Sequence, residues 1–248
     1  MKIYVLNLRR VRGALAFILL LCIAVASVLG VLFLVDTYLY PATISASGES
    51  VGKITTVIID AGHGGEDCGA IGVDGSYEKD LNLAISELLC AELQSRGYNV
   101  IMTRSEDKML YSPEENIKGM RKLSDLKNRC AIARGVENAI FISVHMNSFG
   151  SEKYSGLQVY YSEANEDSRL LAEAVQKRVR ADLQTENKRT TKSGKNLYIL
   201  ENCPITSVIV ECGFLSNAVE CKKLSDKEYQ KRLSLAMVCG IIDYIEAN

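Results

Sequence analysis

The chain contains two histidines, His63 and His145, and each stands at the end of an apolar, β-branched run: Ile54-Thr-Thr-Val-Ile-Ile-Asp60 just before His63, and Ala139-Ile-Phe-Ile-Ser-Val leading into His145. Imidazole is the commonest metal ligand and a frequent general base, so two of them at strand ends form a pattern that can do chemistry. Glu78 opens a segment with apolar residues at Leu81, Ile85, Leu88, Leu89 and Leu93, which puts it in the first turn of an amphipathic helix. A carboxylate there can simply face the helix dipole. Six glycines from Gly62 to Gly75, however, let the intervening loop fold tightly and return His63 to the start of that helix. Two imidazoles and one carboxylate are then the donor set of an open catalytic zinc site, with a coordination position left for water. Cys68 is the alternative ligand, as a thiolate.

Glu211 closes the apolar run Ser207-Val-Ile-Val-Glu-Cys212 immediately before Gly213. Burying an unpaired charge is costly, so packing does not explain a carboxylate at that point. Beside a metal-bound water it can take a proton and return it to a leaving amine, as general base and then general acid. Two phosphate-loop readings of Asp60 to Gly69 fail, because Asp67 stands where a dinucleotide fingerprint needs glycine and no Lys-Ser or Lys-Thr follows. Composition leaves open a serine or cysteine nucleophile with a histidine base, although no Gly-x-Ser-x-Gly elbow occurs.

The elements that must position these residues follow from periodicity. Strands are expected at 54–60, 98–103, 139–145, 157–162, 196–200 and 207–212, and helices at 78–96, 125–134, 167–183 and 227–245. Strands alternating with helices predict an α/β sandwich around a mixed or mostly parallel sheet, and in open sheets of that kind ligands bind at the C-terminal strand edge, where both histidines fall.

Ahead of the domain, residues 1–13 carry Lys2, Arg9, Arg10 and Arg12, and Ala14 to Val35 is an unbroken apolar stretch. At about 22 residues it is long enough to span a bilayer as a helix. The charge bias keeps the N-terminus in the cytosol and sends everything after Val35 outside. A cleaved signal peptide is the competing reading, with small residues at Ser45-Ala46-Ser47, although its apolar run is long for one. Residues 36–53 read as a tether, and the folded domain is expected over 54–248. Charged residues make up 24% of the chain with a net charge of −1, which removes the electrostatic reason to expect nucleic acid as a partner. Among eight cysteines no Cys-x-x-Cys pair occurs, so a cysteine-rich zinc site is not expected, and Cys90, Cys130 and Cys239 are read as small packed hydrophobes.

Several motifs in order resemble the zinc-dependent N-acetylmuramoyl-L-alanine amidases of bacterial cell walls: IIDAGHGGEDCGAIG (58–72), YEKDLNLAI (77–85), VIMTRSED (100–107), DLKNRCAIAR (125–134), FISVHMNS (141–148), SGLQVYY (155–161) and VIVECGFLSN (208–217). The resemblance implies one α/β domain with a twisted, mostly parallel sheet of about six strands, a usual size. It also implies Zn²⁺ held by His63, Glu78 and His145, with Glu211 as catalytic glutamate. The implied reaction is hydrolysis of the amide between the lactyl group of muramic acid and the first L-alanine of the stem peptide. Some relatives carry an extra helix that blocks the site; the stretch between His145 and Leu157 is too short for one, so an open cleft is expected. The compact domain and membrane segment look most like the germination-specific, spore-cortex branch, which serves muramic lactam formation. An accessory activating protein is compatible with that branch. The rival readings are another exported zinc peptidoglycan hydrolase, such as a carboxypeptidase or deacetylase, and a non-catalytic wall-binding protein.

Overall fold

The run Thr56-Val-Ile-Ile-Asp-Ala61 forms strand β1 with all six residues buried, as a β-branched segment covered on both faces should. In the computed structural model, which describes residues 54 and 56–248, five further strands join it: β2 (Asn99–Met102), β3 (Ala139–Asn147), β4 (Gln158–Tyr161), β5 (Lys192–Ser193) and β6 (Ser207–Phe214). The sheet order is β2-β1-β3-β6-β4-β5, and only the β4–β6 pairing is antiparallel. The helices are α1 (Glu78–Ser95), α2 (Arg121–Ile132), α3 (Glu166–Asp182), α4 (Tyr198–Asn202), α5 (Ala218–Leu224) and α6 (Lys227–Ala247). The expected single α/β domain with six mostly parallel strands is what forms.

Alternation along the strands divides the core into two unequal layers. Val57, Ile59, Ile140, Ile142, Val144, Val208 and Val210 face α1, α3 and α6 in the larger layer. Leu81, Ile85, Leu89 and Leu93 bring α1 onto it, and each fully buried aliphatic side chain there contributes about 1.5–3 kcal/mol. The opposite face holds a smaller cluster in which Ile58, Phe141 and Ile209 meet Cys130 and Ala133 beside α2 and Ile199 and Leu200 of α4. Asp60, Ser143, His145, Glu211 and Gln158 belong to this second face by the same alternation. The apolar cover therefore stops short of the C-terminal strand edge, and polar side chains line the sheet there.

Three expectations need correction. The apolar run expected as a strand at 196–200 is the short helix α4, while the sixth strand is Lys192–Ser193, paired with β4. A four-residue apolar run fits either conformation, and here Leu200 is drawn against Gly194 and the smaller cluster. Helix α2 starts at Arg121 rather than Asp125. Helix α5 was not expected at all; Asn217 caps it, its side-chain oxygen accepting from the Val219 and Glu220 amides. No helix lies between β3 and β4, as expected. Among the described residues no helix is long and apolar enough to cross a membrane; the expected leader 1–13, spanning segment 14–35 and tether 36–53 lie outside them. The seven described cysteines are free thiols; Cys130 is buried, and Cys90 and Cys239 are half-buried.

Beneath the strand edge that carries both histidines sits a buried ion network. Asp60 accepts from Arg129 Nη1 at 2.6 Å, Ser143 Oγ at 2.6 Å and Thr103 Oγ1 at 2.7 Å, while Arg129 Nε donates to Asp125 at 2.6 Å. Burial pushes the Asp60 carboxyl upward, but Arg129 and the two hydroxyls outweigh it and hold its pKa below the usual carboxylate range. A depressed carboxylate pKa stabilises the fold at pH values above the unfolded-state value of about 3.9, and that contribution is lost as pH falls through the lower folded-state value. Replacing Arg129 with Met leaves Asp60 and Asp125 without their counter-ion and is expected to cost about 3–5 kcal/mol in urea unfolding. Wild-type stability in that assay would contradict the network's role.

Candidate active site

His63, Glu78 and His145 meet at the strand edge. His63 Nε2 lies 3.2 Å and His145 Nδ1 3.0 Å from Glu78 Oε1, and the donor atoms of the three side chains all fall within 4.8 Å of one another. The imidazole centroids are 4.9 Å apart and the rings nearly perpendicular. Zinc bonds of roughly 2.0–2.2 Å in a tetrahedral arrangement place donors about 3.3 Å apart, so the 3.2 and 3.0 Å spacings of the two imidazoles from Glu78 and the nitrogen and oxygen donor types suit such an ion. Cys68, the alternative ligand, turns its thiol to the Gly69 carbonyl at 3.3 Å and is not one of the three convergent donors.

Each donor is held by a specific piece of backbone. Glu78 is the first residue of α1; its Oε2 accepts from the Ala70 amide at 2.8 Å and its Oε1 from the Met146 amide at 3.1 Å. Burial raises its pKa, but hydrogen bonds from both imidazoles outweigh that and hold it far below the usual carboxylate range. His63 has φ 60°, a left-handed conformation rare for a residue with a side chain and a local strain that its surroundings must maintain. Arg129 does so, donating from Nη2 to the His63 carbonyl at 2.7 Å and from Nη1 to that of Ala61 at 2.8 Å. Arg104 reinforces it through the Ala61 and Gly62 carbonyls and ties the loop to α1 through Lys79. The ring of His145 occupies the space that a Cβ on Gly62 would fill, 2.3 Å from Cε1 and Nε2, so the position requires glycine.

The sequence reading missed Asp67. Its Oδ2 lies 2.9 Å from His63 Nδ1, the ring nitrogen facing away from Glu78. A carboxylate on the far nitrogen of an imidazole fixes its tautomer and direction. Burial opposes protonation of His63, yet Asp67 and Glu78 together raise its pKa to about 9. The four-residue spacing from His63 was the only local signal for this contact.

Glu211 stands next to His145 across the parallel β3–β6 pair, in direct register. Cross-strand partners share a face, so its carboxylate projects to the same side as the imidazole. Its Oε2 is enclosed with no hydrogen-bond partner among the described residues, and burial lifts its pKa to about 6. A carboxyl poised near neutrality beside three convergent donors can accept and release a proton under ordinary conditions. The imidazole side chains remain 17% and 20% exposed, so substrate can reach them. All four residues singled out in the sequence thus gather at one edge.

The family model described as N-acetylmuramoyl-L-alanine amidase matches residues 57–243. The chain belongs to this family. Among its amidase relatives, the germination-specific N-acetylmuramoyl-L-alanine amidase of Bacillus subtilis is 33% identical over 195 residues, covering 78% of this chain and 80% of that one. The uncharacterized protein YqiI of the same organism is 36% identical over 193 residues, covering 77% and 85%. Among solved amidase structures, CwlD of Clostridioides difficile, determined in complex with the GerS lipoprotein, superposes with a TM-score of 0.75 at 39% identity, covering 78% of this chain and 100% of that one. As an amidase of this family, the chain is an enzyme that acts on peptidoglycan.

Proposed function

We propose that this amidase is zinc-dependent and cleaves the amide joining the lactyl group of N-acetylmuramic acid to the L-alanine of the stem peptide. The observation that carries this reading is the convergence of His63 Nε2, His145 Nδ1 and Glu78 Oε1, with the unpartnered Glu211 carboxylate alongside. His63, Glu78 and His145 would hold the ion, which would supply Lewis acidity and make the attacking water easier to deprotonate. Glu211 takes the proton of the attacking water and delivers it to the departing alanine nitrogen. Asp67, 2.9 Å from Nδ1 of His63, would steady that ring with Nε2 toward Glu78, and the absent Cβ of Gly62 leaves room for the His145 ring.

The family match, the name of the Bacillus subtilis germination-specific relative and the likeness to CwlD support a role in spore-cortex maturation, in the step that precedes muramic lactam formation. The complex of CwlD with a lipoprotein supports an accessory activating protein as a partner here too. Residues 1–13, 14–35 and 36–53 serve as cytoplasmic leader, membrane anchor and tether, and they hold the domain 54–248 on the extracytoplasmic side. The apolar length of residues 14–35 and the basic residues before them support that arrangement.

Digestion of purified peptidoglycan tests the reaction. A new L-alanine amino terminus is expected, whereas released D-alanine or acetate would identify a carboxypeptidase or a deacetylase instead. For the metal site, Asp67→Asn is expected to weaken zinc binding by about 10- to 100-fold in a chelator competition, because the far side of His63 loses its anionic partner. Unchanged affinity would remove Asp67 from the support of the ion.

A further inference from the structure

The row of polar side chains on the thin face of the sheet continues past Glu211. Gln158 is its register partner on the antiparallel neighbour β4, so His145, Glu211 and Gln158 stand side by side on three adjacent strands. Gln158 is buried, and its side-chain oxygen accepts from Arg189 Nη2 and, at 3.3 Å, from the Tyr160 hydroxyl, while its Nε2 donates to the Thr190 carbonyl at 2.8 Å. The Arg189 guanidinium lies over the Phe214 ring with its carbon 4.9 Å from the centroid, and Tyr154 stacks on the same ring at 6.1 Å. Its backbone is anchored as well, the Arg189 amide donating at 2.9 Å to Asn187, which in turn donates at 2.9 Å to the Leu157 carbonyl. The guanidinium is thus held in one orientation by a glutamine and an aromatic face.

What it lacks among the described residues is a carboxylate within ion-pair distance, although Glu211 and Glu220 lie near enough to feel its charge. Arg189 forms no ion pair among the described residues, and its Nε is enclosed without a partner. A half-buried cation of this kind is costly to leave uncompensated, and a planar fork of donors is the geometry that matches a carboxylate. Glu211 is close enough for Arg189 to oppose the rise in its pKa, so the guanidinium is within electrostatic reach of the reacting centre.

We propose that Arg189 binds a carboxylate on the peptide side of the scissile amide and makes the enzyme selective for it. This assignment rests on the muramoyl-alanine amidase reading. In that substrate the lactyl carboxyl is already consumed in the amide and the sugar carries no other acid, so the anionic groups belong to the departing peptide. Phe214 and Gln158 act as positioning residues for the guanidinium.

The test uses the zinc-loaded full chain and two N-acetylmuramoyl dipeptides that differ only in a carboxylate or a carboxamide on the residue after L-alanine. Wild-type enzyme is expected to prefer the carboxylate by roughly 10- to 100-fold in kcat/KM, the range for one charge-assisted contact. Arg189→Met should lose most of that preference, its kcat/KM falling much further on the carboxylate substrate than on the carboxamide. Arg189→Lys, which keeps the charge without the fork, should retain part of it. An equal loss on both substrates, or no loss on either, overturns the assignment and leaves the amidase reading intact. Failure of the wild type to cleave either compound overturns the amidase reading, and this assignment with it.

Discussion

Substituting Glu211 with Gln is expected to leave one zinc ion bound and to lower kcat by about 100-fold or more, the range for loss of a general acid–base group. The amide keeps the shape of the side chain and the register with His145 but cannot take a proton from water. The enclosed Oε2 has no partner that an amide would break, so the substitution costs little stability. Burial lifts the Glu211 pKa to about 6, which makes the native carboxylate a better base than an exposed one and widens the expected gap. Turnover by Glu211→Gln near the wild-type rate would remove Glu211 from proton transfer.

A larger loss is expected when a donor is removed. His145→Ala deletes one of the three convergent atoms and opens the space above Gly62, so zinc content should fall from about one per chain to near zero. Lewis-acid polarisation is worth several kcal/mol of barrier, so activity should drop by more than about 1,000-fold. The fold should survive, because the His145 side chain is 20% exposed and its polar contact is with Glu78 rather than with the core. Retained zinc together with retained activity would show that His145 is not a ligand.

The parts of this site that were legible in the sequence are those that strand periodicity controls. His63 and His145 follow apolar runs too regular to be anything but buried strands, and their arrival at one edge is a consequence of parallel pairing between β1 and β3. Glu211 could be singled out because a carboxylate interrupts an apolar run just where β6 brings it beside His145. The contacts that hold these groups in place were not legible. Arg129 reaches back 66 residues to the His63 carbonyl, and nothing in the local pattern of α2 marks it as more than a surface arginine. Asp67 depends on the left-handed turn at His63, which residue type alone does not announce.

The thin side of the sheet was the least legible region. Strand β5 has only two residues, too few for any alternation to register, and α4 occupies the apolar run that local propensity assigns equally well to a strand. Both follow from tertiary packing, since the smaller cluster needs Ile199 and Leu200 to close over Phe141 and Ile209. Because that cover is small, the two imidazoles at the head of the polar row keep part of their surface open to solvent, while Glu211 and Gln158 lie enclosed behind them.

Zinc-edge anomalous diffraction from crystals of the purified chain tests the central claim most directly. One anomalous peak is expected within about 2.0–2.2 Å of His63 Nε2, His145 Nδ1 and a Glu78 carboxylate oxygen. A crystal grown with zinc in excess that shows no peak among these three side chains, or one bound to other residues, would contradict the account.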